Sequence, residues 1–193
     1  SIPEGASRDC VLSMLAPALP ARLYVVHRLD KQVSGVLLFA KNAAAHRRLN
    51  EQFGARNVRK TYLALTHGAM ARTSGSVNSP LREFGSGRVG VEPQRGKPSL
   101  TEFVVVERFE AHTLVNVHPH TGRRHQIRVH LYSIGHPIVG DVLYGDKAVQ
   151  RRFPRLMLHA QRITFQLPGG EPVTIESPIP ASFQTVVERI RLK

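Results

Sequence analysis

One carboxylate in this chain stands where a catalytic group can be held, in a polar loop between two apolar runs. Asp30 has Arg28 and Lys31 beside it, and the apolar runs on either side span residues 23–26 and 36–40. Loops held between rigid strands commonly present functional groups. Because nearby cations favour the charged form of a carboxyl group, we expect Asp30 to be ionised at neutral pH. Such a group suits an anionic nucleophile or a charge stabiliser, and the alternative is a turn or a structural ion pair.

Histidines form a second candidate group in the later half of the chain. It comprises His118, His120, His125, His130 and His136. A zinc site needs three or four nitrogen or sulfur ligands in tetrahedral arrangement, and no cysteine is available here to complete one. The arginines between the histidines would also repel a dication, so we predict no metal site. The glycine-rich stretches lack the Gly-Lys-Ser/Thr of a phosphate-binding loop, and no nucleotide or flavin cofactor is predicted.

The charge of the chain points to the kind of partner it binds. Its 193 residues include 27 Lys and Arg against 14 Asp and Glu, a formal net charge of +13. The cations are spread along the sequence, which favours a folded surface for a polyanion such as RNA, DNA or an anionic membrane. The single cysteine, Cys10, excludes an internal disulfide and suits a reducing compartment. With no long apolar run and no signal peptide, we expect a soluble cytoplasmic protein.

Short strands and helices are the elements that would position Asp30. The apolar runs around its loop predict two strands, with a turn at Ser34-Gly35. A short helix is predicted from Ser7 to Leu15, capped at its first residue, and Asn42 is the predicted cap of a helix that reaches about Arg56. Residues 59–66 alternate between polar and apolar side chains, as expected of a strand.

The second half of the chain predicts further strands with few helices between them. Residues 72–99 are rich in Gly, Ser, Pro and Arg, which predicts hairpin turns or a mobile basic loop at a contact surface. The later predicted elements are strands at 101–108 and 113–118, a helix through Ile127, Leu131 and Ile134 that ends at Gly135, strands at 156–167 and 173–176, and a closing amphipathic helix at 180–192. This order favours an α+β fold with a mixed, mostly antiparallel central sheet and flanking helices and loops. Without repeats or a linker, we expect a single domain over residues 1–193.

Motifs that follow one another in order carry a resemblance to a known family. They are His27-Arg28-Leu29-Asp30 with Ser34-Gly35, Lys60-Thr61-Tyr62, Thr121-Gly122-Arg123 through His130-Leu131, Ile134 to Ile138 with Gly140-Asp141, Leu143-Tyr144-Gly145, and Leu158-His159-Ala160. Together they closely resemble the RluA family of RNA pseudouridine synthases, from about residue 5 to the C-terminus. Each motif alone is weak, and it is their shared order that makes the match specific.

Two departures from the family pattern affect what we expect. Val33 stands where the family usually has Thr, which removes a hydroxyl from the loop of Asp30. The family's domain normally opens with a strand and a turn carrying Lys-Pro-x-Gly, which this sequence lacks. We therefore expect a chain that is truncated at its N-terminus relative to the family, with an unpaired sheet edge. We also expect no S4-type RNA-binding domain, which some relatives carry.

The resemblance implies the isomerisation of uridine to pseudouridine within ribosomal or transfer RNA. This reaction breaks the N1–C1′ bond, turns the uracil and rejoins it through C5, and because it is redox-neutral we expect no cofactor. Asp30 matches the catalytic aspartate, and Tyr62 matches the active-site tyrosine that stacks on the uracil. Arg128 matches the partner of that aspartate, which a guanidinium can bind through two parallel hydrogen bonds. The alternatives are a phosphate-binding Arg128 on the polar side of its helix and a structural Tyr62 in the core.

Several further residues are expected to contact the RNA. Leu158 matches an apolar position that packs against the base, and Arg28 matches a position that helps to fill the space left by an extruded base. Lys60, Arg123 and His125 belong to the matched motifs and are predicted to bind the substrate. The candidates for phosphate contacts, each of which is otherwise a solvated surface charge, are Arg82, Arg88, Arg95, Lys97, Arg123 and Arg124.

Two other classes of function stay open on the sequence alone. A non-catalytic RNA-binding or ribosome-assembly module on the same fold would carry the same positive charge. A glycosidase-like hydrolase would need two carboxylates across the scissile bond, and the motifs offer one. The presence of Asp30, Tyr62 and Arg128 together favours the isomerase, because binding alone does not require a buried carboxylate. We expect a monomer that does not associate with membranes.

Overall fold

The structure is a computed structural model that describes residues 11–15 and 22–192. The predicted helix cap Ser7 and the single cysteine, Cys10, lie outside the described residues. In chain order, the elements are α1 (Val11–Leu15), β1 (Tyr24–Val25), β2 (Ser34–Gly35), β3 (Phe39–Ala40), α2 (Ala43–Gly54), β4 (Arg59–His67), β5 (Ser74–Asn78), β6 (Leu81–Glu83), β7 (Val89–Val91), β8 (Leu100–Arg108), β9 (His112–Pro119), α3 (Gln126–Ser133), α4 (Lys147–Gln150), β10 (Leu158–Gln166), β11 (Pro172–Glu176) and α5 (Ala181–Arg191). Among the described residues, no helix has the length and apolar character needed to cross a bilayer.

The described chain divides into two compact units. The smaller unit contains the described residues up to Arg28 together with Leu37–Asn57, and the larger contains Leu29–Val36 and the described residues from Val58 onward. The chain therefore enters the larger unit at Leu29 for eight residues, returns to the smaller unit at Leu37, and enters the larger unit again at Val58. The single domain expected over residues 1–193 stays a prediction.

The smaller unit is built from a two-stranded sheet and helices. Strand β1 pairs antiparallel with β3, with Tyr24 opposite Ala40. Both predicted apolar runs thus form strands, but each strand covers only two residues of its run. Helix α2 begins as predicted, because the side chain of Asn42 accepts a hydrogen bond of 2.8 Å from the backbone N–H of Ala45. This bond satisfies one of the free N–H groups of the first helical turn.

The larger unit is organised around a seven-stranded sheet. Its strand order is β11-β10-β4-β9-β8-β5, and β2 also pairs with β10. All of these pairs are antiparallel except the one between β2 and β10. Strands β4 and β9 lie at the centre, where Ala64, Leu65, Val115 and Val117 are fully buried. The mixed, mostly antiparallel α+β fold is therefore as predicted.

Two helices close the main core of the larger unit. Helix α3 contributes Ile127 and Leu131, and α5 contributes Phe183 and Val186, to one cluster with the central strands. Fully burying a side chain of this size contributes about 1.5–3 kcal/mol to stability. Since α3 is fixed in this core, the polar side chains that it carries on its other faces have fixed positions too.

The glycine-rich stretch at 72–99 is ordered, so the hairpin alternative is the correct one. Strand β5 pairs with β8, and β6 pairs antiparallel with β7. This β6–β7 hairpin packs against α3 through a second apolar cluster of Leu81, Val89, Val129 and Tyr144. The predicted turn at Ser34-Gly35 is wrong, because these two residues form strand β2. Helix α4, which is only four residues long, is absent from the sequence-based prediction.

Candidate active site

The loop that carries Asp30 is attached to the edge of the large sheet. Ser34 and Gly35 pair in parallel with His159 and Ala160 of β10. Gly35 has a φ of +122°, and a Cβ atom built there would lie 2.1 Å from the carbonyl oxygen of Ala160. Only glycine accepts both this backbone conformation and this close approach. The position of Asp30 therefore depends on a contact that no other residue at position 35 can make.

A buried hydrogen-bond relay holds the same loop through Ser34. Its Oγ lies 2.8 Å from Nδ1 of His159 and accepts a bond of 2.6 Å from Nη2 of Arg155. The Nε2 of His159 donates to the carbonyl oxygen of Ser177 at 3.2 Å, so Nδ1 is the ring nitrogen that accepts from Ser34. Burial lowers the pKa of His159, which favours this neutral form. Val33 stands where the family usually has Thr, but the relay runs through Ser34, and the Val33 side chain packs against the main core.

Arg128 connects Asp30 to a second carboxylate that residue-level reasoning missed. Its Nη1 donates to Oδ2 of Asp30 at 3.2 Å, as the predicted pairing requires. The two parallel hydrogen bonds expected with Asp30 are instead made with Asp141, from Nε at 2.7 Å and from Nη2 at 2.8 Å. Only 4% of Arg128 is exposed, so the alternative of a phosphate-binding Arg128 on a solvated helix face is wrong. Burial by itself lowers the pKa of Arg128, but the two carboxylates, Asp141 most strongly, raise it overall.

Asp141 is held in place by several contacts, and it fixes the position of the Arg128 guanidinium. It is fully buried, and its Oδ1 also accepts backbone hydrogen bonds from Leu143 and Tyr144. The preceding residue, Gly140, has a φ of +79°, and a Cβ atom there would lie 1.9 Å from the carbonyl oxygen of Arg155. The Gly140-Asp141 motif was the available signal in the sequence, but nothing in its spacing indicates which cation it meets.

His125 and Tyr144 complete the surroundings of Asp30. The Tyr144 hydroxyl accepts from the backbone N–H of Val89 at 2.9 Å and lies 2.8 Å from Nδ1 of His125. Because the Tyr144 hydroxyl already accepts one hydrogen bond, its own proton is available to Nδ1 of His125. The other ring nitrogen of His125, Nε2, is then directed at Oδ2 of Asp30, 3.8 Å away. Burial lowers the pKa of His125, and Arg128 and Arg124 lower it further, against the opposing effect of Asp30.

The backbone of His125, next to Asp30, has a strained conformation. It is the residue before α3 and has a left-handed φ of +53°, which is uncommon for a residue other than glycine. Such conformations persist where the surrounding structure enforces them, commonly at functional sites. Here the surroundings include buried Gln126, whose side chain accepts from Thr121 and from the backbone of Arg123 and donates to Thr101.

Tyr62 lies on β4 near the charge of Asp30. Burial raises its pKa to about 12, and the negative charge of Asp30 adds to this rise. Its hydroxyl is therefore protonated at neutral pH. Leu158 on the neighbouring β10 is 3% exposed and belongs to the main core, against which the Tyr62 ring packs. Lys60, two residues before Tyr62 on the same strand, has its pKa lowered by burial.

The remaining predicted residues fall into different environments. Arg28 belongs to the smaller unit, and its role in filling the space left by an extruded base stays a prediction. Arg123 is exposed and directs its guanidinium at the carbonyl oxygen of Pro98, 3.4 Å from Nε. Arg124 pairs with Glu83 at the end of β6. Arg88, Arg95 and Lys97 are exposed on the segment that includes the β6–β7 hairpin.

The histidines of the predicted cluster have separate partners. Their respective partners are Thr61 for His118, Glu102 for His120, Tyr144 for His125, Thr101 for His130, and the carbonyl oxygen of His67 for His136. In the part of the chain that the structure describes, no group of three or more His, Cys, Asp or Glu side chains is arranged to hold a metal ion.

Known proteins that are similar to this chain share one family name. Residues 4–133 match the model of the RNA pseudouridylate synthase family. The chain is 43% identical over 180 residues to ribosomal large subunit pseudouridine synthase C of Escherichia coli strain K12, and 43% identical over 176 residues to the protein of the same name from Vibrio vulnificus. Each match covers 88% of this chain and 56% of the relative. The chain thus spans about half the length of the curated relatives it matches.

Solved structures show the same fold. Human RNA pseudouridylate synthase domain containing 1 superposes with a TM-score of 0.78 at 31% identity, covering 94% of this chain and 84% of the human one. Human RNA pseudouridylate synthase domain containing 4 gives a TM-score of 0.75 at 27% identity, with 88% and 76% of the two chains covered.

Proposed function

Because the chain belongs to the RNA pseudouridylate synthase family, we propose that it isomerises uridine to pseudouridine in RNA, with Asp30 as the catalytic carboxylate. The observation that carries this proposal is the sharing of Arg128 between two acids. Asp141 takes two of its donors and is fully buried, whereas Asp30 takes one and keeps 21% of its side chain exposed. Asp30 is therefore the member of the pair that an RNA base can reach.

The reaction needs a carboxylate and no external reactant. The N1–C1′ bond of the uridine breaks, the uracil turns in place, a C5–C1′ bond forms, the C5 proton leaves and N1 gains a proton. An ionised Asp30 serves this sequence either as a nucleophile or by stabilising the positive charge that develops on the sugar. Since Arg128 and His125 both approach Oδ2, we assign Oδ1 to the contact with the substrate.

Tyr62 is suited to support the base and to relay a proton. Its ring offers a stacking surface for the uracil. A phenol with a pKa of about 12 is not a base at neutral pH, so it can accept the C5 proton only while passing on its own. Leu158 would bound the same space on its apolar side, with Lys60, His125 and Arg123 binding the RNA around it.

We propose large-subunit ribosomal RNA as the substrate, because the curated relatives named above are ribosomal large subunit pseudouridine synthases. A base within structured RNA must leave its stack to reach a half-buried carboxylate. The charge of +13 supports binding of the RNA phosphates, and Arg28 is proposed to fill the space that the base leaves. Ribosomal RNA as substrate agrees with a cytoplasmic location, and we propose that the protein acts as a monomer.

The other two function classes fit the site less well. A hydrolase of the glycosidase type needs a second available carboxylate, and Asp141 is fully buried and held by Arg128. A binding module has no need for a partly exposed carboxylate such as Asp30 beside a buried arginine. The isomerase is the function that uses this arrangement.

Replacing Asp30 tests the proposal directly. We expect Asp30→Asn to bind RNA as wild type does and to lose turnover by at least about 10⁴-fold, because the amide is neither a nucleophile nor a charge stabiliser. Pseudouridines would be mapped by carbodiimide labelling and primer extension on RNA from cells that lack the protein, complemented with wild type or with the variant.

Asp146→Asn is the matched control. Asp146 is exposed and caps α4 by accepting from Ala148 and Val149, a role that Asn also performs. We expect it to restore every stop that wild type restores. Stops restored by Asp30→Asn as well would show that the catalytic group is wrongly assigned, and stops restored by neither wild type nor the control would contradict the isomerase.

A further inference from the structure

A groove beside the active site has no role in the chemistry described above. It lies between the β6–β7 hairpin and α3 and has a volume of about 430 Å³. We call it the hairpin groove. Its walls are mainly apolar and aromatic, and they include Phe84, Arg88, Tyr132 and Tyr144. Small-molecule sites typically have volumes of about 300–1,000 Å³, so the groove is large enough for a nucleobase.

Two aromatic rings stand exposed in the hairpin groove. Phe84 is 41% exposed and Tyr132 is 47% exposed, and the ring of Tyr132 lies 6.3 Å from that of buried Tyr144. Strand β7 approaches the Phe84 ring at Gly90, where a Cβ atom would come within 3.0 Å of the ring. Rings that project in this way offer flat faces on which an unpaired base can stack.

Cations lie close to two of the rings that line the groove. The guanidinium of Arg82 lies 5.8 Å from the centre of the Phe84 ring, and that of Arg88 lies 5.8 Å from the centre of the Tyr144 ring. The nearby acid, Glu83, forms an ion pair with Arg124. An aromatic floor with a positively charged rim is the combination that single-stranded nucleic acids bind, since bases stack while phosphates meet the cations.

The hairpin groove shares a wall with the active site. Tyr144 lines the groove, and the guanidinium of Arg128 lies 5.0 Å from the centre of the same ring. That guanidinium also binds Asp30. One aromatic ring and one arginine therefore lie between a base in the groove and the reactive carboxylate.

We propose that the hairpin groove binds an unpaired base next to the target uridine, by stacking on Phe84 and Tyr132. The proposal rests on the proposed function for the identity of the strand, and on the groove itself for the mode of binding. An apolar protein segment is the other conceivable occupant. The guanidinium groups of Arg82 and Arg88 beside the groove favour RNA, because phosphates complement their positive charge and an apolar segment does not.

Binding of a fluorescein-labelled oligouridylate, followed by anisotropy, tests the stacking. We expect Phe84→Ala and Tyr132→Ala each to weaken binding about tenfold, within the range for loss of one base–aromatic stack. Tyr132→Phe retains the ring and should bind as wild type does. Val106→Ala removes a side chain that is 51% exposed on β8 and should also leave the affinity unchanged. Thermal melts of all variants check that each is folded.

The salt dependence separates stacking from charge. We expect Tyr132→Ala to keep the wild-type slope of log affinity against log salt concentration. Arg88→Ala should reduce the magnitude of that slope by about 0.7, the value for one phosphate contact on a single strand. A changed slope in Tyr132→Ala, or weakened binding in Tyr132→Phe, would overturn stacking as the mode of recognition.

Unchanged affinity in both alanine variants, whether or not another protein segment binds there, would overturn the groove proposal. Its failure is separable from that of the isomerase, because pseudouridine formation by wild type is measured independently. Active wild type with unaffected alanine variants refutes the groove alone. Inactive wild type with weakened alanine variants refutes the isomerase and supports the groove.

Discussion

Arg128 binds two carboxylates that are fitted for different tasks. Asp141 is fully buried and holds the guanidinium through two donors, and Asp30 receives one donor at the edge of solvent. A guanidinium can do this because its donors are fixed in one plane. Asp141 is thus a positioning residue for Arg128, and Arg128 in turn orients Asp30.

Removing the guanidinium should be costly mainly because of Asp141. Arg128→Met leaves a buried carboxylate without its cation, and we expect a loss of about 3–5 kcal/mol in the free energy of unfolding. Adding Asp141→Asn to that variant should recover part of the loss, since Asn retains an acceptor for Leu143 and Tyr144. Urea denaturation of the single and double variants measures both effects.

Arg162→Met is the matched control. Arg162 pairs with Glu176 at 2.7 Å, but both side chains are about half exposed. A pair of this kind typically contributes about 0–1 kcal/mol. If Arg128→Met proved no more destabilising than Arg162→Met, the proposed support of Arg128 by Asp141 would be wrong.

At this scale, the sequence predicts partners better than it predicts geometry. The contact between Asp30 and Arg128, 98 residues apart, follows from the matched motifs and is confirmed. The bidentate geometry predicted for Asp30 belongs to Asp141, because motif order does not say which of two carboxylates faces two donors. The roles of Tyr144 and the left-handed His125 could not be deduced from residue type, since they depend on how the hairpin and α3 pack.

Strand β2 shows what local patterns leave out at the scale of elements. Ser and Gly are typical turn residues, and a turn at Ser34-Gly35 is the natural prediction. The strand exists only because β10, far along the chain, offers a parallel edge at His159 and Ala160. The long strands β4, β8 and β9 were predictable, by contrast, from their own residues: β8 alternates between more buried and more exposed side chains, and β4 and β9 each contain a continuous buried run.

Gly35→Ala should disconnect this strand and misplace Asp30. The substitution combines a strained φ of +122° with a Cβ atom 2.1 Å from the Ala160 carbonyl. We expect turnover to fall by about 10²-fold or more, since errors of about 1 Å in the position of a catalytic group have this effect. RNA affinity should change little, because the arginines and the lysine expected to contact phosphates lie outside this loop. Single-turnover kinetics and anisotropy titration measure the two quantities.

Gly169→Ala is an appropriate control because Gly169 has nearly the same φ, +121°, and a Cβ atom added there would meet no other atom within 4 Å. It should cost a little stability from backbone strain and leave turnover unchanged. Equal losses of turnover in the two variants would mean that strain alone, and not the contact with Ala160, explains the effect of Gly35→Ala.

The molecule as a whole buries neutral histidines in its larger unit. Burial is the leading cause that lowers the pKa of His125, His130 and His159. The unfolded chain protonates such side chains near pH 6.5. The folded chain does so only at lower pH, so below about pH 6.5 the unfolded state binds more protons than the folded one. The free energy of unfolding should therefore decrease as the pH falls from about 6.5.

Urea denaturation at several pH values between about 7 and 5 measures this dependence. His130→Gln should flatten it, because His130 is fully buried between Thr101 and the carbonyl oxygen of Ser79. His120→Gln, at an exposed residue paired with Glu102, should leave the slope close to that of wild type. A slope that His130→Gln leaves unaltered would exclude this histidine as a source of acid sensitivity.

The fold class and the charge of the whole chain were within reach of the sequence. Alternating strands indicate the sheet, and the excess of Lys and Arg is a matter of composition. The division into two units could not be predicted from the sequence, because it separates Leu29–Val36 from the residues on both sides. No change of composition marks either crossing.

This eight-residue passage constrains how the protein can be shortened. A fragment that begins at Val58 would keep Tyr62, His125, Arg128 and Asp141 and would lack, of the larger unit, only the segment with the reactive carboxylate. That missing segment is short enough to be made as a synthetic peptide of residues 29–36. The larger unit thus divides into a body that carries Arg128 and an eight-residue segment that carries Asp30, and mixing the two as separate chains tests reconstitution in trans.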